Sequence, residues 1–187
     1  MLYKIMGIKK KIFCIFFYLK LYYFKKRGFE YGRNCKFVTV PHFSDEPYLV
    51  KIGNNVQLSN DVQFITHDGA HWVTKSDRKY YGCINIGTIK IGNNVFIGAR
   101  STILAGVNIG DNVIIGACSL VTKDCEDNSV YAGNPAKKIE SIEKYKQKII
   151  NKKLPSKLFY DFEHFRINEE KLQKYLSYRP RTFININ

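Results

Sequence analysis

The sequence contains no CxxC pair, and its five cysteines (14, 35, 83, 118 and 125) leave one unmatched in any disulfide scheme. That argues against a disulfide-stapled secreted scaffold and for free thiols in a reducing compartment. It also removes the closely paired cysteines of a structural zinc site, so no metal is expected. No apolar run approaches the ~20 residues of a bilayer span. The run Ile12–Leu19 meets Lys20 and, counted on to Phe24, reaches only thirteen residues. No small-residue cleavage site follows it, as a secretory signal would require. Acids are scarce, 16 against 30 Lys and Arg in 187 residues, for a formal net charge of +14.

That charge is unevenly placed. Residues 1–36 carry ten bases and one acid, residues 37–135 seven and nine, residues 136–187 thirteen and six. A nucleic-acid reader wants its basic stripe on the folded recognition surface, interleaved with stacking aromatics. Two basic flanks around a slightly acidic middle fit a solvated or membrane-facing periphery better, and no nucleic-acid partner is expected. With 45% hydrophobic residues a packed core is available, and global disorder is excluded.

The middle is periodic. Aliphatic residues return at 91, 97, 103, 109, 115 and 121, every sixth position, and Ile52, Leu58 and Phe64 keep the same beat earlier. A small or β-branched residue follows four places later at Val95, Ser101, Val107, Val113 and Ser119. A period of six fits neither a helix at 3.6 nor a long strand at 2. Each hexad reads as a short strand and a corner, with Gly, Asn or Asp after the aliphatic residue supplying positive-φ turns. Three hexads close one triangular coil, which stacks Ile91 under Ile109, Ile97 under Ile115 and Ile103 under Val121. The phase breaks between Phe64 and Ile86, four residues more than one coil, and residues 68–84 leave the pattern. A loop extruded from one corner of a solenoid is usually there to bind.

The motifs Phe64-Ile-Thr-His-Asp-Gly69, Ile109-Gly-Asp-Asn-Val-Ile-Ile-Gly-Ala117, Val121-Thr-Lys-Asp124 and Ala132-Gly-Asn-Pro-Ala136 make the chain resemble the hexapeptide-repeat acyltransferases over roughly residues 48–140. Within that family it looks most like the O-acetyltransferases of saccharides, polysaccharide-biosynthesis members included. The resemblance implies a mainly β fold, a left-handed parallel β-helix, usually trimeric, with acetyl-coenzyme A as co-substrate and a saccharide acceptor. The handedness comes from the resemblance alone, since right-handed crossovers are the general preference.

Two of the four histidines, His67 and His71, sit at the base of the loop and within it, beside Asp68, Trp72, Tyr80 and Tyr81. Acyl transfer to a hydroxyl needs a base for the attacking oxygen, donors for the oxyanion and an acid for the leaving thiolate. His67 occupies the histidine of the family motif and is the expected general base. His71 is its competitor. Asp68 could orient an imidazole or accept a sugar hydroxyl, and Trp72 could stack on a sugar ring or pin the loop to a neighbouring subunit. By resemblance, the backbone amides of Ala99 and Ala117, eighteen apart, hold the pantetheine arm. Thr122 and Lys123 then meet the far arm and nucleotide, and Lys137 lies near phosphate. Phe96 stands where some relatives carry Trp. Cys118 has no adjacent base and reads as structural.

The expected organisation is a basic aromatic helical segment over 1–30, coils over 31–135, and a basic helical extension over 136–187. In the first segment two readings stand: a helix lying in a membrane interface, or one packed on the domain. In the last, a helix is expected over Ile139–Lys153 and another from about Glu169 to Tyr178. The expected setting is cytoplasmic, with the inner face of the membrane following only from the interfacial reading of the first segment. Competing functions are acetylation of an antibiotic or sugar amine, a γ-carbonic-anhydrase-like zinc hydratase, and a non-catalytic scaffold.

Overall fold

Every sixth side chain points inward because each hexad contributes one short strand to one of three walls. The computed structural model describes residues 15–152 and the strands Tyr160–Asp161 and Arg166–Ile167. It forms two compact units, Met1–Lys146 and Gln147–Asn187. In the first unit, the first wall is built from Glu30–Tyr31, Val50–Ile52, Ile89–Ile91 and Asn108–Ile109. Lys36–Phe37, Gln57–Leu58, Phe96–Ile97, Ile114–Ile115 and Ser129–Gly133 make the second, and His42–Phe43, Gln63–Ile65, Thr102–Leu104 and Leu120–Val121 the third. All of these strands pair in parallel. The expected stacking holds: Ile91 pairs with Ile109, Ile97 with Ile115, and Ile103 with Val121. Leu58, Phe64, Ile97, Ile103, Ile115 and Val121 are buried in one continuous core. A parallel coil pairs every wall strand above and below, so only its two ends need covering.

The corners correct the turn assignment. Positive φ falls on the third residue after each aliphatic one: Asn55, Asp61, Asn94, Arg100, Asn112 and Cys118, at 55–57°. Asparagine tolerates that region, and its amide also joins a ladder running up the prism. Asn34 donates to Asn55 (2.8 Å), Asn55 to Asn94 (2.7 Å), Asn94 to Asn112 (2.7 Å) and Asn112 to Asn128 (3.0 Å). The glycine directly after the aliphatic residue serves close approach instead. A Cβ on Gly53 would lie 2.6 Å from the carbonyl oxygen of Gly92 in the next coil.

The excursion is also longer than the aliphatic phase suggests. Phe64 pairs with Ile103, 39 residues on rather than 18, so 21 residues are added to that coil. Ile86 does not resume the core row. It is exposed and forms an isolated antiparallel bridge with His67, which closes the root of the loop.

Each end of the prism is capped. At the first, a helix over residues 15–26 lays Phe17, Leu21 and Phe24 on the core. Phe24 meets Phe43 (4.7 Å between centroids), Phe43 meets Phe29 (4.6 Å), and Phe43 stacks on Phe64 (5.7 Å). At the other end the chain differs from the expected helix. Ala136–Ser141 is a strand, antiparallel to Ser129–Gly133, and the helix begins only at Ile142 and runs to Lys152. A helix from Ile139 would have left the outer edge of Ser129–Gly133 unpaired, and the hairpin satisfies it. In the second unit, Tyr160–Asp161 pairs antiparallel with Arg166–Ile167. The expected helix from Glu169 to Tyr178 lies outside the described residues. Among the described residues no helix is long and apolar enough to cross a membrane.

Candidate active site

The corner after the third wall carries the titratable cluster. His42–Phe43 pairs with Gln63–Phe64 at an offset of 21 residues. Carried three residues further, the same offset sets Glu46 beside His67. Pro47–Leu49 forms a single 3-10 turn that keeps Glu46 at the wall. The His67 Nδ1 lies 2.7 Å from the Glu46 Oε2, and the buried Thr66 hydroxyl donates to the same oxygen at 2.7 Å. The Glu46 side chain is 17% exposed and that of His67 34%, so the carboxylate is the more enclosed partner. Burial alone would push the Glu46 carboxyl up. The hydrogen bonds from Thr66 and His67 and the imidazole's charge outweigh it and hold the carboxyl below its ordinary value. An ionised carboxylate only accepts, so this contact places the proton on Nδ1 and leaves Nε2 as the acceptor.

Asp68 is held at the root of the loop by two hydrogen bonds. Its Oδ1 accepts from the Ala70 amide (2.9 Å) and its Oδ2 from the Asn85 side chain (2.8 Å). The Asp68 amide itself donates to the Asn85 carbonyl (3.1 Å), and Gly87 donates to the Thr66 carbonyl (2.9 Å). Asp68 therefore ties the two strands of the loop root together. Donation from Asn85 and then from Ala70 lowers its carboxyl's pKa. His71 opens a four-residue helix, His71–Thr74, and helps line a cavity of about 360 Å³ with Asp68, Thr74, Tyr80, Cys83 and Asn85. Its Nδ1 is buried there without a hydrogen-bond partner. Trp72 is 70% exposed, and the Lys75 ammonium already covers its ring.

The expected donor residues divide between two corners. Ala99 and Ala117 stand in one column at the corner before the third wall, where the Cys118 amide donates to the Ala99 carbonyl (2.8 Å). Among the described residues the N–H groups of Ala99 and Ala117 find no acceptor and remain available. Lys137 pairs with Ala132 in the closing hairpin, one coil above Gly116, and so joins the top of that column. Thr122 and Lys123 lie elsewhere. They follow Val121 at the corner after the third wall, with Lys123 in the column of Thr66 two coils away. His67 shares that corner, at the other end of the third wall from the two alanines.

Comparison with known proteins decides the family. The family model for the bacterial transferase hexapeptide (six repeats) matches residues 88–123. Protein CapG of Staphylococcus aureus is 48% identical over 155 residues, covering 81% of this chain and 89% of CapG. The chain belongs to the hexapeptide-repeat transferases. The galactoside O-acetyltransferase of Escherichia coli K12 is 41% identical over 98 residues, 52% of this chain and 46% of that protein. The crystal structure of the polySia-specific acetyltransferase NeuO superposes with a TM-score of 0.50 at 29% identity, over 59% of this chain and 50% of that one. The chain thus spans about half the length of these last two relatives.

As a hexapeptide-repeat acyltransferase with a left-handed parallel β-helix, the protein presents one oriented imidazole on a rigid corner. Glu46, which meets His67 and Thr66 here, is not among the residues expected from the sequence. The offset of 21 that relates Phe43 to Phe64 also relates Glu46 to His67, and it lies outside the hexad beat. Among the described residues no three His, Cys, Asp or Glu side chains gather where they could hold a metal ion. Burial pushes the Cys125 thiol up to about 12, with Asp124 adding to the shift, which leaves that cysteine unreactive.

Proposed function

We propose that the protein transfers an acetyl group from acetyl-coenzyme A to a hydroxyl of a saccharide, with His67 as general base. The observation that carries this reading is the Thr66–Glu46–His67 contact, which fixes the imidazole's tautomer and leaves Nε2 able to accept a proton. The acceptor hydroxyl gives its proton to Nε2 as its oxygen attacks the thioester carbon. The tetrahedral intermediate then collapses, the carbon–sulfur bond breaks, and the imidazolium returns the proton to the thiolate. The imidazole ends neutral, and no acyl-enzyme forms. Glu46 keeps the ring oriented throughout and stabilises it while it is charged. Two relatives named for acetylating a galactoside and polySia support a glycan acceptor.

The free amides of Ala99 and Ala117 suit the pantetheine arm, and Lys137 at the top of their column suits a phosphate. Because that column and His67 lie at opposite ends of one wall, the site is completed by a second copy of the chain in a trimer. The cavity beneath His71 receives the acceptor beside the loop. The setting is cytoplasmic. The test is release of free thiol from acetyl-coenzyme A against a panel of sugars, oligosaccharides, amino sugars and chloramphenicol. Turnover with a neutral sugar hydroxyl is expected. Release confined to amines would replace the O-acetyl reading, and no release with any acceptor would remove it.

A further inference from the structure

The helix over residues 15–26 has two apolar faces, and the fold uses one. Phe17, Leu21 and Phe24, at spacings of four and three, pack on the end of the core. On the opposite face Ile15, Leu19 and Tyr22 repeat the same spacing and are 58%, 58% and 59% exposed. Tyr18 and Tyr23 flank them, exposed at 67% and 54%. An ordinary surface helix turns a polar face outward. A contiguous apolar strip at helical spacing marks a contact surface.

Its chemistry selects the partner. Lys26 and Arg27 border the strip, Lys20 and Lys25 flank the helix over the rings of Phe24 and Tyr31, and residues 15–27 hold no acid. The Lys26 ammonium stands over the Tyr22 ring (5.6 Å) and Arg27 over Tyr23 (5.7 Å). The preceding fourteen residues add four lysines and no acid. Two such faces brought together would oppose like charges, which disfavours self-association. An anionic lipid surface complements the bases, and tyrosine rings suit the headgroup boundary. Position agrees. The helix caps the first coil, so its outer face points away from the walls available to neighbouring copies.

We propose that this helix docks the protein on an anionic membrane surface through Ile15, Leu19 and Tyr22, with its lysines toward the headgroups. Resting on the acyl-transfer reading above, this makes the acceptor a glycan presented at a membrane, because His67 lies only one coil above the capped end.

Docking is tested without an acyl donor, so it stands or falls apart from catalysis. Full-length protein is centrifuged with vesicles of phosphatidylcholine alone or with about a third phosphatidylglycerol. Sedimentation with the anionic vesicles is expected, with release in about 0.5 M salt. The triple variant Ile15→Ser, Leu19→Ser, Tyr22→Ser should partition ~10-fold or more weakly. Its circular dichroism and its activity on a soluble acceptor should be unchanged, since the packed face is intact. Should that variant fail to fold, Lys25→Glu with Lys26→Glu keeps both apolar faces and should abolish the preference for anionic vesicles. No sedimentation of the wild-type protein would overturn the proposal. So would equal partitioning of the folded variants, or a loss of oligomeric state in the triple variant by light scattering, which would give the face to a second copy of the chain.

Discussion

His67 holds its tautomer through a single carboxylate oxygen that it shares with Thr66, so both partners are open to test. His67→Ala should lower kcat by about 10²–10⁴-fold, the usual worth of a positioned base, with acetyl-coenzyme A affinity nearly unchanged. His71→Ala should cost much less and act chiefly on the acceptor's KM. The reverse ranking would move the catalytic role into the loop. Glu46→Gln keeps size but offers an amide to Nδ1, which favours the tautomer with its proton on Nε2. A loss of kcat on the order of 10²-fold is expected, with little change in KM. The same carboxyl also marks stability. Its pKa is lowered in the fold, so its contribution is complete above the ordinary glutamate range and is lost as pH falls through the lowered value. The Tm gap between wild type and Glu46→Gln should therefore be largest near neutrality and close on acidification. A gap that stays constant with pH would show that Glu46 acts through packing alone.

Gly53, Gly92 and Asn94 show what the repeat made legible and what it hid. Inward rows, triangular coils and stacking partners followed from the period of six, because a row of aliphatic residues has only one way to meet its copies. The corner conformation did not follow, because Gly and Asn both suit positive φ and composition cannot divide the labour between them. Coordinates do: Asn94 takes φ 56°, while Gly92 is needed for clearance between coils. Glu46 was hidden because the offset between the first two coils is 21 rather than 18, outside the hexad beat. The closing hairpin was hidden because Ile139, Ile142 and Tyr145 fit helical spacing, while the unpaired edge that draws Ala136–Ser141 into a strand exists only in three dimensions. This division of roles is testable. Gly53→Ala introduces no forbidden φ, yet its Cβ would meet the Gly92 carbonyl oxygen at 2.6 Å. It should destabilise by ~1–3 kcal/mol, the cost of an overpacked contact, measured by urea unfolding at fixed protein concentration. An unchanged midpoint would mean that the coils separate freely, and the clearance argument would fall.

A single prism separates what the proposed chemistry would join: His67 at the corner after the third wall, and the amides of Ala99 and Ala117, without an acceptor among the described residues, at the corner before it. In the proposed cyclic trimer each heterologous contact would bring one corner of a copy to the other corner of its neighbour, and three equivalent sites would arise between subunits. Complementation tests this directly. The His67→Ala chain lacks the base, and Ala117→Trp blocks the amide column while leaving the imidazole in place. Each alone should be inactive. When the two are unfolded together in equal amounts and refolded as mixed trimers, a site recovers if its base comes from one variant and its amides from the other. Random assembly predicts recovery of about a quarter of wild-type activity. If base and amides instead came from the same chain, every site in the mixture would carry one defect, and mixing would restore nothing. Activity in the mixture therefore measures which corners meet, and its absence, with mixed trimers confirmed by mass, would return the whole site to one subunit.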